Sequence, residues 1–300
     1  MRTKPSTVNN ANIIRATSPQ TANPTVAARR VLMRLACHSP TRRRPARLQA
    51  RPATRAGTAV SHNGRMQPTN LPVLVACAHG TREPAGRRVV GLLVAALRTA
   101  RPDLTVEAAF VDVQPPRVPD VVRAVTASGR RAVVVPLLLS GGYHVHVDVA
   151  EAVSGPDAVA SAALGPDERL TGLLLDRLRE VGATSDDVVL LAAAGSSDAR
   201  AVADVVQVQR ALRSRWGGPV GVGYGAKAEP SVPEAITALR LQHPGRRVVV
   251  ASYLLAPGFF HDRLLASGAD LVTSPLGLPG SPPDPRLVEV VLERYDAASG

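Results

Sequence analysis

Residues 130–144, RRAVVVPLLLSGGYH, contain an apolar run that ends at two glycines. A short apolar run bounded by turn residues is typical of a β-strand that is buried on both faces of a sheet. Residues 246–260, RRVVVASYLLAPGFF, repeat the pattern. The sequence therefore predicts two equivalent strands, each followed by a loop at the same end.

The repeat extends beyond these two stretches. Residues 71–80 (LPVLVACAHG) correspond to residues 187–197 (DVVLLAAAGSS), and residues 110–122 (FVDVQPPRVPDVV) correspond to residues 224–236 (YGAKAEPSVPEAI). The spacing of about 115 residues is too long for a solenoid repeat. Amphipathic helical patterns separate the apolar strands, which predicts βαβ units and a parallel sheet with helices on both faces.

These patterns predict an α/β protein with two tandem domains, residues 71–182 and 187–298. Residues 1–70 differ, because they carry 13 Lys or Arg, no Asp or Glu, and little apolar periodicity. We predict that they form a disordered basic leader. Met66 is the favoured true start, because an excess of 34 Arg over 2 Lys is typical of GC-rich coding sequence. A simple disordered tail and a functional leader remain alternatives.

The net charge of +12 belongs to the leader, since the rest of the chain has 23 Lys or Arg against 24 Asp or Glu. That part has no recognised nucleic-acid motif or aromatic stacking platform, so we predict no nucleic-acid partner. The sequence has no apolar stretch of membrane-spanning length, and we predict no membrane partner. Cys37 and Cys77 cannot form a disulfide framework, which favours a reducing cytoplasm.

Polar residues follow three predicted strands of the first copy: His79, Asp112 and His144. The carboxyl ends of parallel strands form the crevice in which such sheets bind ligands. The matching residues of the second copy are all apolar, namely Ala194, Ala226 and Phe260. A purely structural role would have been kept in both copies, so the first copy is predicted to carry the chemistry.

Imidazole and carboxylate groups suit divalent iron, cobalt, nickel and zinc. Two histidines and one carboxylate leave a coordination position open, which favours a metal that is passed on. Each residue also has a structural alternative: His79 as a hydrogen-bonded loop residue, and Asp112 as the cap of the following helix. A tight turn at Gly141 and Gly142 would separate His144 from His146. Because His144 is closer to the end of the strand, we predict that it enters the crevice and that His146 is a secondary ligand at its mouth.

Three motifs together resemble the sirohydrochlorin cobaltochelatase and ferrochelatase family: CAHGTREPAG (77–86), FVDVQPPRVPDVV (110–122) and VPLLLSGGYHVHVDV (135–149). Their order and spacing resemble the long, two-copy form of that family. The resemblance implies two tandem chelatase-like (flavodoxin-like) domains. It also implies a cytoplasmic enzyme that inserts Fe²⁺ or Co²⁺ into sirohydrochlorin without ATP, for sirohaem or cobalamin synthesis.

The resemblance assigns metal handling to His79 and His144, and it places Asp112 where the family usually has a glutamate that removes protons. Candidate donors for the carboxylates of the substrate are Arg82, Ser140, Gly141 and Gly142. The divalent metal is a substrate, and no tightly bound cofactor is expected. We expect a monomer or a homodimer. A non-catalytic carrier of a tetrapyrrole or a metal is the alternative function.

Overall fold

The computed structural model describes residues 71–142 and 145–300. In the first half the elements are β1 (Val73–Ala78), α1 (Pro84–Ala100), β2 (Val106–Phe110), α2 (Val118–Ala127), β3 (Ala132–Pro136), a π-helical turn (Val145–Val149), α3 (Ala150–Ala152), β4 (Ala158–Ala160) and α4 (Glu168–Glu180). In the second half they are β5 (Val188–Ala193), α5 (Ala199–Trp216), β6 (Val220–Tyr224), α6 (Val232–Gln242), β7 (Val248–Tyr253), α7 (Phe259–Leu265), β8 (Leu271–Val272) and α8 (Pro285–Ser299).

Each half contains one parallel, four-stranded sheet. The strand order is β2-β1-β3-β4 in the first half and β6-β5-β7-β8 in the second. All paired strands are parallel. The predicted α/β fold with two tandem parallel-sheet units is therefore confirmed. In both sheets the strand order reverses at the first strand, whose neighbours on either side are the second and third strands in sequence. Such a topological switch point is where open parallel sheets bind ligands.

One hydrophobic core is shared by the two halves, and each half has a second core of its own. The last helix of each half packs on the sheet of the other half: α4 contacts β7, and α8 contacts β3 and α1. The hydroxyl of Tyr295 in α8 is buried and donates a hydrogen bond of 2.7 Å to the carbonyl of Pro72, directly before β1. Because each half packs its last helix on the sheet of the other, the carboxyl ends of the two sheets lie on opposite sides of one cleft.

All described residues belong to one compact unit. The predicted domain limits, 71–182 and 187–298, stay a prediction, since the halves pack as one body. The basic leader and the proposed start at Met66 lie outside the described residues.

Candidate functional site

A cleft of about 710 Å³ lies where the carboxyl ends of the two sheets meet. Both halves line it: His79 follows β1, Ser140 follows β3, and Ala194 follows β5. The crevice predicted at the strand ends of the first copy is thus one wall of a cleft shared with the second copy. The volume is in the usual range for a small-molecule site.

His79 is exposed at the end of β1 and lines this cleft. The turn that presents it depends on Gly80, which has a φ of +95°. A Cβ added to Gly80 would overlap the carbonyl oxygen of Asp112. The backbone of Asp112 also donates a hydrogen bond of 2.9 Å to the carbonyl of His79. The HG motif therefore brings the loops after β1 and β2 into direct contact.

Asp112 does not line the cleft but lies beside it, in an ion pair with Arg117 (2.9 Å). The backbone N–H of Val113, followed by the guanidinium of Arg117, holds the pKa of Asp112 below its ordinary value. The carboxylate is therefore charged at neutral pH. It does not cap the next helix, because α2 has Arg117 at its N-cap and no side-chain cap there.

The segment after β3 is held by the second half. The hydroxyl of Tyr253 donates to the carbonyl of Leu139 (2.9 Å), and the carboxylate of Asp204 accepts from the backbone N–H of Gly141 (2.8 Å). Burial, together with the charge of Asp204, raises the pKa of Tyr253 well above its ordinary value, so its hydroxyl stays a donor. The sequence analysis did not identify Asp204 or Tyr253, because no local sequence pattern predicts a contact between residues so far apart in the chain.

His144 lies outside the described residues, so its predicted pairing with His79 stays a prediction. The backbone of His146 lies in the π-helical turn Val145–Val149 and is not extended. Single π-helical turns are frequent at functional sites.

The predicted substrate-binding residues lie in different surroundings. Arg82, Ser140 and Gly142 line the cleft, but Gly141 does not. The N–H of Gly141 is bound by Asp204, and that of Gly142 donates to the carbonyl of Ser140 (3.0 Å). Arg82 is exposed, and its guanidinium makes no hydrogen bond or ion pair with any other described residue. Of these four, Arg82 is the one that offers a positive charge to a ligand.

Lys227 is a second cation on the cleft, and sequence reasoning missed it. It is exposed on the loop after β6, with a left-handed backbone (φ +59°). The sequence did contain a signal for it, because Lys227 is the one lysine of residues 71–300. Arg82 and Lys227 thus bring positive charge to the cleft from both halves.

The second half places apolar groups where the first half has polar ones. Ala194, Ala226 and Phe260 all line the cleft. His261, next to Phe260, also lines it, and its Nε2 lies 3.1 Å from the carbonyl oxygen of Thr273.

Within residues 71–142 and 145–300, no group of three or more His, Cys, Asp or Glu side chains is placed to hold a metal ion. Cys77, at the end of β1, is buried, and burial raises the pKa of its thiol to about 12. A thiol with so high a pKa is a poor metal ligand at neutral pH. Among the described helices, none is long and apolar enough to cross a membrane.

Solved structures share this fold. SirB from Bacillus subtilis with Fe³⁺ matches with a TM-score of 0.65 and 20% identity, over 77% of this chain and 96% of that one. CbiX, the terminal enzyme of sirohaem biosynthesis in denitrifying bacteria, matches with a TM-score of 0.54 and 18% identity, over 75% and 98% of the two chains. DR2241 from Deinococcus radiodurans, a multi-domain protein similar to chelatases, matches with a TM-score of 0.55 and 20% identity, over 77% and 55%.

No curated protein matches the chain in sequence. The sequence model of the CbiX family matches it twice, over residues 73–181 and 188–298. The two matches fall on the two halves of the structure, and each includes one four-stranded sheet. The resemblance inferred from the motifs is confirmed, and the chain belongs to the CbiX family.

Proposed function

We propose that this protein inserts a divalent metal ion, Fe²⁺ or Co²⁺, into sirohydrochlorin, in sirohaem or cobalamin synthesis in the cytoplasm. The observation that carries the proposal is the position of His79, an exposed imidazole on a cleft that also presents Arg82 and Lys227. An imidazole suits the incoming metal, and the two cations suit a ring that carries eight carboxylates.

In the proposed reaction, two pyrrole N–H protons leave the ring and the metal ion loses its water. His79 and His144 bind the ion as it arrives; once the ion passes to the ring nitrogens, the freed imidazole nitrogens can each accept one of the two protons, as histidines do in general-base steps. Asp112 is charged, and its lowered pKa makes it a weak proton acceptor. We therefore assign it mainly to attracting the divalent cation toward His79.

Two of the similar structures are consistent with iron as the metal. One is described as SirB with Fe³⁺, and the other as an enzyme of sirohaem biosynthesis. Histidine and carboxylate ligands suit Fe²⁺ and Co²⁺ alike, so both metals belong in the test.

The test is an anaerobic insertion assay on sirohydrochlorin with Fe²⁺ and Co²⁺ in parallel. Metal insertion changes the visible absorption of the ring, and we expect product in large excess over protein. His79→Ala should lower the rate about a hundredfold or more, because the metal loses an imidazole ligand and the protons lose an acceptor. His243→Ala removes a histidine at the end of α6 that does not line the cleft, and it serves as the matched control.

A carrier protein gives a different result. It would bind sirohydrochlorin or the metal at one equivalent and would not turn over. Binding without catalytic excess of product, with either metal, would reject the proposed activity.

A further inference from the structure

Aromatic residues are concentrated at the cleft. They make up 3% of the sequence, and seven of them lie in the described residues. Five of these seven line the cleft: Phe110, Tyr224, Tyr253, Phe259 and Phe260. Three of them, Phe110, Tyr224 and Tyr253, belong to the buried hydrophobic core beneath the cleft. Phe259 and Phe260 are the two that lie outside that buried core and present ring surface to the cleft.

Two of these rings form a pair on the wall of the second half. The centroids of Phe259 and Phe260 are 5.4 Å apart, and their planes make an angle of 75°. Phe260 is half-buried, and its ring packs against the backbone at Gly225, where a Cβ would come within 2.8 Å of it. Phe259 is 64% exposed, although it is apolar. Phe260 supports the pair, and Phe259 offers a ring to the solvent of the cleft.

Positive charge lies next to this pair. The guanidinium carbon of Arg263 lies 5.7 Å from the centroid of Phe259. Lys227 is on the loop that also contains Gly225, against which Phe260 packs. The ammonium of Lys227 makes no ion pair with the rest of the described chain. The second half thus combines an exposed ring with an unpaired cation on one wall of the cleft.

We propose that this wall, formed by Phe259, Phe260 and Lys227, binds the tetrapyrrole independently of the metal. The Phe pair contacts the flat face of the ring, and Lys227 binds a peripheral carboxylate. The inference rests on the proposed function, whose substrate is a flat ring with carboxylates at its edge. Aromatic rings and conjugated faces attract each other in offset or edge-to-face arrangements, and a cation pairs with a carboxylate at the rim.

This assignment gives the second half a chemistry of its own. Phe260 stands at the position of His144, and Lys227 follows the position of Asp112 by one residue. Where the first half has groups for metal and protons, the second half has groups for the organic substrate. The metal-handling residues are then free to act on a ring that is already bound.

The test is binding of metal-free sirohydrochlorin, measured by the quenching of its fluorescence in a chelator-treated buffer. We expect Phe259→Ala to weaken binding about tenfold, because the stacking surface is lost. Phe259→Leu keeps apolar bulk without a ring and should also weaken it. Lys227→Ala should weaken binding up to about fivefold at low salt, with a smaller effect at high salt. Lys227→Arg should restore it.

The control is Leu241→Ala, since Leu241 is 79% exposed on α6 and does not line the cleft. It should bind sirohydrochlorin as the wild type does. In the insertion assay, the Phe259 and Lys227 variants should raise the KM for sirohydrochlorin. Their kcat and their KM for the metal should stay close to those of the wild type.

The outcomes separate this inference from the proposed function. Variants that bind as tightly as the wild type, or that lose kcat instead of affinity, overturn the inference. Wild-type protein that binds the ring but does not insert metal overturns the proposed activity and leaves the inference standing. Wild-type protein that does not bind the ring overturns both.

Discussion

After β1 and after β5 the chain makes the same turn. Gly80 and Gly195 have φ values of +95° and +88°, and a Cβ on either would overlap a backbone carbonyl, that of Asp112 or of Ala226. Only glycine tolerates this backbone at such close approach. The turn is therefore the same in both halves because each sheet needs it to join the loops after its first two strands.

The side chain before each glycine is not shared. The first half has His79 and the second has Ala194, in the same backbone setting. Since the turn forms equally well with alanine, the imidazole is not needed for folding. A residue that the backbone conformation requires, such as Gly80, occurs in both halves. A residue proposed to act in the site, such as His79, occurs in one half.

The largest expected effect concerns the histidines of the first half. We expect His144→Ala to lower metal insertion about a hundredfold or more, whereas His146→Ala keeps most of the rate. In sequence His144 is nearer to β3, and the backbone of His146 belongs to the turn that leads to α3. Both variants are measured on sirohydrochlorin at saturating metal. Equal losses, or a larger loss for His146→Ala, would reject the assignment.

Asp112 should have a smaller effect. We expect Asp112→Asn to lower insertion about tenfold, through loss of a negative charge near His79, and Asp112→Glu to keep most of the rate. Because its pKa is lowered, Asp112 is ionised above its ordinary pKa and loses its charge only as pH falls below that value. The profile of the wild type between about pH 6 and pH 8 should therefore contain no step from Asp112.

Arg117→Ala provides the control for this effect. It removes the ion pair but leaves the larger influence on the carboxylate, the hydrogen bond from the backbone N–H of Val113, so Asp112 stays ionised and insertion at pH 7 should stay close to the wild-type rate. A loss at pH 7 as large as that of Asp112→Asn would show that insertion needs the ion pair and not the negative charge itself.

Removing the contact between Asp204 and Gly141 tests whether the second half positions the segment before His144. We expect Asp204→Ala to raise the KM for the metal about fivefold, because the N–H of Gly141 loses a charged acceptor worth about 1 kcal/mol or more. Asp204→Asn keeps an oxygen acceptor and should recover part of the loss.

Gln209→Ala is the matched control on the same helix, since the side chain of Gln209 donates a hydrogen bond to the carbonyl of Val220 in β6 and does not contact Gly141. It should lower the melting temperature without changing the KM for the metal. A similar rise in KM for Gln209→Ala and Asp204→Ala would mean that α5 acts through stability alone.

The smallest effect is expected for His261→Ala. We predict a change in turnover below tenfold, which is under about 1.4 kcal/mol in the barrier. The reason is that Ala194, Ala226 and Phe260, the second-half counterparts of the proposed site residues, offer no metal ligand or proton acceptor. Its ring lies against the carbonyl of Thr273, which is a structural contact. A loss of a hundredfold or more in a folded variant would show that the second half takes part in the chemistry.

The sequence by itself determined the secondary structure, the two parallel sheets and the polar residues at their carboxyl ends. These features follow from local patterns: apolar runs for buried strands, helical periodicity between them, and glycines where the backbone must be left-handed. Because the chain repeats, comparing its two copies also marked His79 and Asp112 as residues without a structural equivalent in the other copy.

Only the tertiary structure decided how the two halves meet. The exchange of α4 and α8, the shared cleft, and the contacts of Asp204 and Tyr253 with the segment after β3 join residues far apart in sequence. Such contacts depend on how helices pack across the shared core, and no local pattern encodes that packing. For the same reason, a role in substrate binding could be inferred for Phe259 and Lys227 only from the structure, which places both on one wall of the cleft.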